Sequence, residues 1–169
     1  MADFNQAVQK TLINEGGFQN IHGDSGNWTG GEVGKGELRG TKYGISAAEF
    51  PNLDIFNLTQ DQAIQIYREG YWKDGYSQIT DQLLADKLFD LGVLFGVGEA
   101  VKLLQITMAN KISLVTDGEF GLGTLSAVNQ SANLLPAYKT TFINHCMNII
   151  NHNPAKAQFA NNWVRRINS

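Results

Sequence analysis

The chain has 169 residues, enough for one domain with its own core, and no stretch reaches the roughly 20 apolar residues of a membrane span. Its formal charge of -3 argues against a nucleic-acid partner, which would call for a basic patch; the Arg165-Arg166 pair is too short to supply one. Cys146 is the one cysteine, which excludes an intramolecular disulfide and leaves a small buried hydrophobe as its reading.

The first predicted element is an amphipathic helix over "DFNQAVQKTLINEGG", with Asp3 as N-cap and Gly16-Gly17 as its stop. Phe4, Ala7, Val8, Thr11 and Leu12 share one face of it. From Phe18 to Gly40 regular periodicity disappears. Seven residues between Gly23 and Gly40 are glycine, which marks a long loop or small hairpin, and an ordered domain rarely keeps so long a loop without use for it. "TKYGIS" reads as a short strand. "SAAEF" reads as a capped helix, Ser46 with Glu49, ending at Pro51. Thr59 and Gln62 form a second capping box, opening "LTQDQAIQIYREGYW" with Ala63, Ile66, Tyr67 and Tyr71 at helical spacing.

Two strongly apolar helices, "TDQLLADKLFDLGVLFG" and "GEAVKLLQITMA", meet at Gly96-Val97-Gly98 and predict a core hairpin. Leu88, Phe89, Leu91, Leu103, Leu104 and Ile106 are the expected core. "DGEFGLGTLSAVNQ" reads as a turn into a short helix. "LLPAYKTTFINHCMNIINHNP" reads as a long helix stopped by Pro154, and "AKAQFANNWVRRIN" closes the chain. The expectation is a mainly α single domain without internal repeat or linker.

Carboxylates are the leading chemical candidates. Glycoside hydrolysis needs a protonated acid for the leaving oxygen and a second group that positions water or steadies the oxocarbenium-like state. A glutamate at the end of an apolar-faced helix can be desolvated enough to keep its proton, while a polar loop holds an ionised partner. Glu15 and Asp24 occupy those two settings, although most such pairs are only surface. The histidines, His22, His145 and His152, show no metal-ligand spacing beyond i,i+7, and "DSGNWTGGE" and "DGEFG" lack the ligand order of a calcium loop. Trp28, Tyr43, Tyr71, Trp72 and Tyr76 lie near the polar loop, where rings can stack on sugar faces; core packing is the ordinary fate of each.

Taken in order, "LINEGGF", "GTKYGIS", "LTQDQAIQIYREGYW", "KLFDLGV", "AVKLLQ", "TDGEFGLGTLSAV" and "FANNWVRRIN" resemble the muramidases of glycoside hydrolase family 108. The resemblance covers about residues 5 to 167. It implies a lysozyme-like domain with a catalytic half at about 5–88 and a helical, peptidoglycan-binding-like half at about 89–167. It puts the family's general acid on Glu15, the following aspartate on Asp24 and the threonine of T-x-x-G-I on Thr41. Trp28, Tyr43, Tyr71 and Trp72 become the expected substrate-binding residues.

The sequence departs from the family pattern twice. An insertion, "NWTGGEVGKGELRG", separates Gly26 from Thr41 and leaves Thr29 at the uninserted spacing. Leu94 and Phe95 stand near the place of a family asparagine.

The implied activity is hydrolysis of peptidoglycan between N-acetylmuramic acid and N-acetylglucosamine by a monomer. The implied chemistry needs no cofactor, and neither nucleic acid nor membrane insertion enters it. A non-catalytic wall-binding module is the reading from a different class. The start carries no signal-peptide pattern, so synthesis in the cytoplasm and action on the wall after holin-type release or dedicated export are expected. A phage endolysin and a secretion-associated muramidase read alike.

Overall fold

A computed structural model describes residues 1–109 and 113–169, with only the backbone of Asn14. Among these residues the chain forms seven α-helices and one two-stranded sheet, so the fold is mainly α. It divides into two compact units, one made of residues 8–69 and the other of residues 1–7 with 70–169. Among the described residues no helix is long and apolar enough to cross a membrane.

Helix α1, Phe4–Glu15, runs from the larger unit into the smaller one. Asp3 caps it by accepting from the Gln6 N–H at 3.1 Å, and the expected face of Phe4, Ala7, Val8, Thr11 and Leu12 is buried throughout. Gly16 ends it at φ +70, where a side chain would be strained.

In the smaller unit, "TKYGIS" is a whole hairpin rather than one strand. Strands β1, Thr41–Lys42, and β2, Ile45–Ser46, pair antiparallel with Thr41 opposite Ser46 and Lys42 opposite Ile45. Tyr43 and Gly44 make the turn at φ +52 and +77, the double left-handed geometry of a type I′ turn. Asn-Gly is the favoured pair there, so Tyr43 sits at a backbone cost of about 1–2 kcal/mol. The expected helix at Ser46–Pro51 is a single turn. The Ser46 hydroxyl accepts from the Glu49 N–H at 3.3 Å, but Pro51 lies too close for a second turn to follow. Helix α2, Gln60–Tyr71, opens on the Thr59–Gln62 box. The Gln62 side chain accepts from the Thr59 N–H at 2.8 Å and the Thr59 hydroxyl from the Gln62 N–H at 3.2 Å.

The larger unit is helical. Helices α3, Gln82–Phe95, and α4, Val97–Ala109, turn about Gly96 at φ +93 and pack together as the expected hairpin. Helix α5, Leu122–Gln130, follows; α6, Leu134–His152, packs on α3 and α4, and α7, Ala160–Asn168, packs on α6. Leu88, Phe89, Leu91, Leu103 and Leu104 are core as expected, whereas Ile106 is 39% exposed. The inward face of α4 runs through Val101, Leu104, Gln105 and Met108, and Ile106 lies off that stripe.

Gln105 takes a core place because its amide is satisfied there. It donates to Asp117, to the Glu119 carbonyl and to Thr124 at 2.9–3.1 Å, and it accepts from the Gly118 N–H at 2.9 Å. The "DGEFG" segment is therefore a turn, and its bonds to Glu119 and Gln105 hold the Asp117 carboxyl below its ordinary value.

Asp90 of α3 and Arg166 of α7 form a buried ion pair at 3.0 Å, and the Lys87 ammonium donates to the Arg166 carbonyl at 2.6 Å. Burial pulls the Lys87 pKa down, and the Asp90 charge opposes that shift.

Candidate active site in the smaller unit

Glu15 is the last residue of α1, and its half-buried carboxyl lies against the turn of the hairpin. A β-carbon added to Gly44 would come within 2.6 Å of Glu15 Oε2, and it would strike the Tyr67 hydroxyl as well. That hydroxyl, on the buried inner face of α2, donates to the Tyr43 carbonyl at 2.8 Å. The strained turn is thus held by a helix-borne phenol and lies against a helix-ending carboxyl.

Thr41 opens the same hairpin. Its N–H donates to the Gln19 carbonyl at 2.9 Å and its carbonyl accepts from the Gln19 N–H at 2.8 Å. These bonds tie the segment leaving Glu15 to β1. Tyr43 is half-buried, with the Lys42 ammonium 5.5 Å from its ring centroid.

Asp24 caps the short 3-10 turn Ser25–Asn27. Its Oδ1 accepts from the Gly26 N–H at 2.9 Å and its Oδ2 from the Asn27 side chain at 2.7 Å. Asn27 is fully buried and acts as the keystone of this loop: its Oδ1 accepts from the Ile21 N–H at 3.2 Å, and its carbonyl from the Arg39 and Gly40 N–H groups. The turn is joined to the chain after β2 through the Ala48 N–H, which donates to the Gly26 carbonyl at 3.1 Å. Glu15, Asp24 and Thr41 therefore stand on one hydrogen-bonded assembly of helix end, capped turn and hairpin.

The insertion is a narrow hairpin-like loop. Trp28 bridges Leu38, the Thr29 N–H donates to the Glu37 carbonyl, and the Glu37 N–H donates to the Thr29 hydroxyl at 2.9 Å. Thr29 braces this loop, and the threonine of the hairpin is Thr41. The Trp28 indole donates to the His22 carbonyl at 2.8 Å, with its ring edge-on to His22.

Tyr71 and Trp72 belong to the other unit. Trp72 is 9% exposed, in edge contact with Phe4, Tyr76 and Phe89, and its indole donates to Ser77 at 3.0 Å. Trp72 is thus a core ring, which corrects its place among the expected substrate-binding residues, and the buried Tyr76 has the core packing that is a ring's ordinary fate. Burial also pushes the Tyr76 phenol well above its ordinary value. Tyr71 is half-buried.

Asn27, Gly44 and Tyr67 are the residues whose part the sequence reading missed. The Asp-x-x-Asn spacing of Asp24 and Asn27, a turn signature, was the available signal for the first.

Residues 8–96 match the family model described as glycosyl hydrolase 108. The solved structure of SagA from Brucella abortus is similar along 98% of this chain and 89% of that one, with a TM-score of 0.73 and 22% sequence identity. At that identity the likeness bears on the fold, which is lysozyme-like. No curated protein matches the chain.

Proposed function

The chain belongs to the glycosyl hydrolase 108 family and is a glycoside hydrolase; from that premise we propose that it cuts peptidoglycan between N-acetylmuramic acid and N-acetylglucosamine, with Glu15 as general acid. The observation that carries this reading is the seat of the Glu15 carboxyl, fixed against Gly44 by a turn whose geometry admits no side chain there. Such preorganisation is what an acid needs to meet one glycosidic oxygen rather than bulk water.

In the proposed reaction the Glu15 proton goes to the leaving oxygen as the bond from the sugar C1 breaks. A water adds its oxygen to C1, and its proton passes to a base. Asp24 and Thr41 are the proposed water-orienting pair. Both Asp24 oxygens already accept hydrogen bonds, which holds the carboxylate in one orientation. An inverting course is proposed because the Glu, Asp, Thr order resembles that of phage-type lysozymes, which tend to use such a pair to position water. Trp28 and Tyr43 remain the proposed substrate contacts of the smaller unit. The helical half at about 89–167 takes the proposed wall-binding role. Release to the wall after cytoplasmic synthesis, as endolysin or secretion muramidase, completes the proposal.

The test is digestion of purified cell walls followed by borohydride reduction of the products. Reduced muramic acid at the new ends is the expected result. Reduced glucosamine at those ends would refute the bond assignment, and wall sedimentation without new reducing ends would favour a binding module.

A further inference from the structure

The smaller unit carries a hollow of about 580 Å³ on the reverse side of the hairpin assembly, a size usual for ligand sites. Its side follows from strand geometry. Gln19 and Thr41 are paired, so their side chains share one face, and Phe18 and Asn20, on either side of Gln19, point to the other. Phe18 and Asn20 line the hollow together with Arg39, Asn52, Asp54 and Phe56. It is therefore distinct from the face that Thr41 presents.

Two rings form its apolar wall. Phe18 and Phe56 meet edge to face at 5.2 Å, and they are 38% and 64% exposed. Both are held in place: the Phe18 ring packs over the α-carbon of Gly40, and the Lys42 ammonium donates to the Phe56 carbonyl at 2.9 Å. The charged groups of the hollow are already engaged. Arg39 is paired with Glu37 and donates to the Pro51 carbonyl at 3.1 Å, while the Asp54 carboxyl accepts from the Asn57 N–H and side chain at 3.2 and 2.8 Å. The side-chain amides of Asn20 and Asn52 have no partner among the described residues. The hollow thus offers a preformed apolar platform, free amide donors and acceptors, and no unspent positive charge. Those features suit an uncharged ligand with one apolar face and amide or hydroxyl groups on its edge, and they give no hold to an anion.

We propose that this hollow is a second saccharide site, which takes an uncharged N-acetylated sugar ring of the glycan against Phe18 and Phe56, with Asn20 and Asn52 bonding its acetamido and hydroxyl groups. The choice of sugar rests on peptidoglycan being the substrate. A site there lets the enzyme hold wall glycan at a place other than the bond it cuts, which raises the local concentration of substrate.

The experiment is a titration of the full chain carrying Glu15→Gln with the N-acetylglucosamine tetramer, followed by NMR. The Asn20 and Asn52 side-chain amides and the Phe56 backbone amide are expected to shift saturably. Phe56→Ala, a change at an exposed position, should weaken that response about fivefold or more. Unmoved resonances, or an unchanged response in Phe56→Ala, overturn the proposal, as does saturable binding of an apolar peptide where the tetramer causes no shift. If the tetramer binds here and walls are not cut, the hydrolase reading of the substrate fails and this one stands. Walls cut with these resonances unmoved gives the reverse.

Discussion

The Tyr67 hydroxyl donates to the carbonyl of Tyr43 at 2.8 Å, and so a buried helix residue restrains the strained turn on which the Glu15 carboxyl rests. Tyr67→Phe removes that one bond and keeps the ring. The expected loss of stability is about 1 kcal/mol. The loss of wall hydrolysis should be larger, roughly ten- to a hundredfold, because small misplacement of a catalytic acid is costly. Thermal melting and reducing-end release, measured on the same preparation, check the split. Equal, small losses in both would mean that the turn keeps its shape without the bond.

Gly44→Ala attacks the same relationship from the other side. The new methyl group would meet the Glu15 carboxyl and the Tyr67 hydroxyl, and alanine at φ +77 carries its own cost of about 1–2 kcal/mol. Hydrolysis should fall to near background in a chain that still folds. Retained activity would show that the carboxyl can retreat without penalty.

These two positions show where sequence reasoning ran out. The capped ends of α1 and α2, the buried face of α1 and the α3–α4 hairpin were legible because caps and helical period are local signals. Ile106 is exposed and Gln105 takes a core place because the partners of the Gln105 amide lie far along the chain, beyond any periodicity. Trp72 looked like a sugar platform by its neighbourhood in sequence, but its face was already taken by Phe4 and Phe89. That Thr41 opens the hairpin while Thr29 braces the insertion follows from hydrogen bonds between residues distant in sequence, which no local pattern announces. Asn27 was unread because its importance lies in what it bonds, not in its residue type.

Asn27→Ala should destabilise the smaller unit. It strips a donor from Asp24 and an acceptor from the Ile21 N–H at a fully buried position, each worth about 1–3 kcal/mol when left unsatisfied. Hydrogen exchange is expected to rise first in the segment from Ile21 to Gly40. A uniform rise across the chain would contradict the loop-keystone reading.

Cys146 provides a check on the helical unit. Burial lifts its thiol from 9.0 to about 11, so the native chain should resist a thiol reagent at pH 8, where only an unfolded chain holds appreciable thiolate. The sign follows from the raised value. The stabilisation is fully present below pH 9.0 and is lost as pH rises through about 11. Fast labelling of the native protein at pH 8 would mean that α6 opens readily.

The decisive measurement ranks Glu15, Asp24 and Thr41. General acid catalysis typically contributes about 10²–10⁴-fold, so Glu15→Gln should nearly abolish wall lysis while melting like the parent. Glutamine keeps the shape against Gly44 but has no acid proton to give. Asp24→Asn alters a group that caps the Ser25–Asn27 turn, and its new amide hydrogens would face existing donors. That variant should lose both stability and activity, with the activity loss exceeding the stability loss if the carboxylate also orients water. Thr41→Ala leaves the main-chain bonds to Gln19 intact and should cost least. If folded Glu15→Gln lyses walls like the parent, the acid assignment fails. The remaining acids of the insertion, Glu32 and Glu37, would then be tested next, although Glu32 is exposed and paired with Lys35, and Glu37 is exposed and paired with Arg39. Side chains so exposed have no fixed seat from which to meet one glycosidic oxygen, whereas the Glu15 carboxyl is seated against Gly44, and for that reason Glu15 stands first.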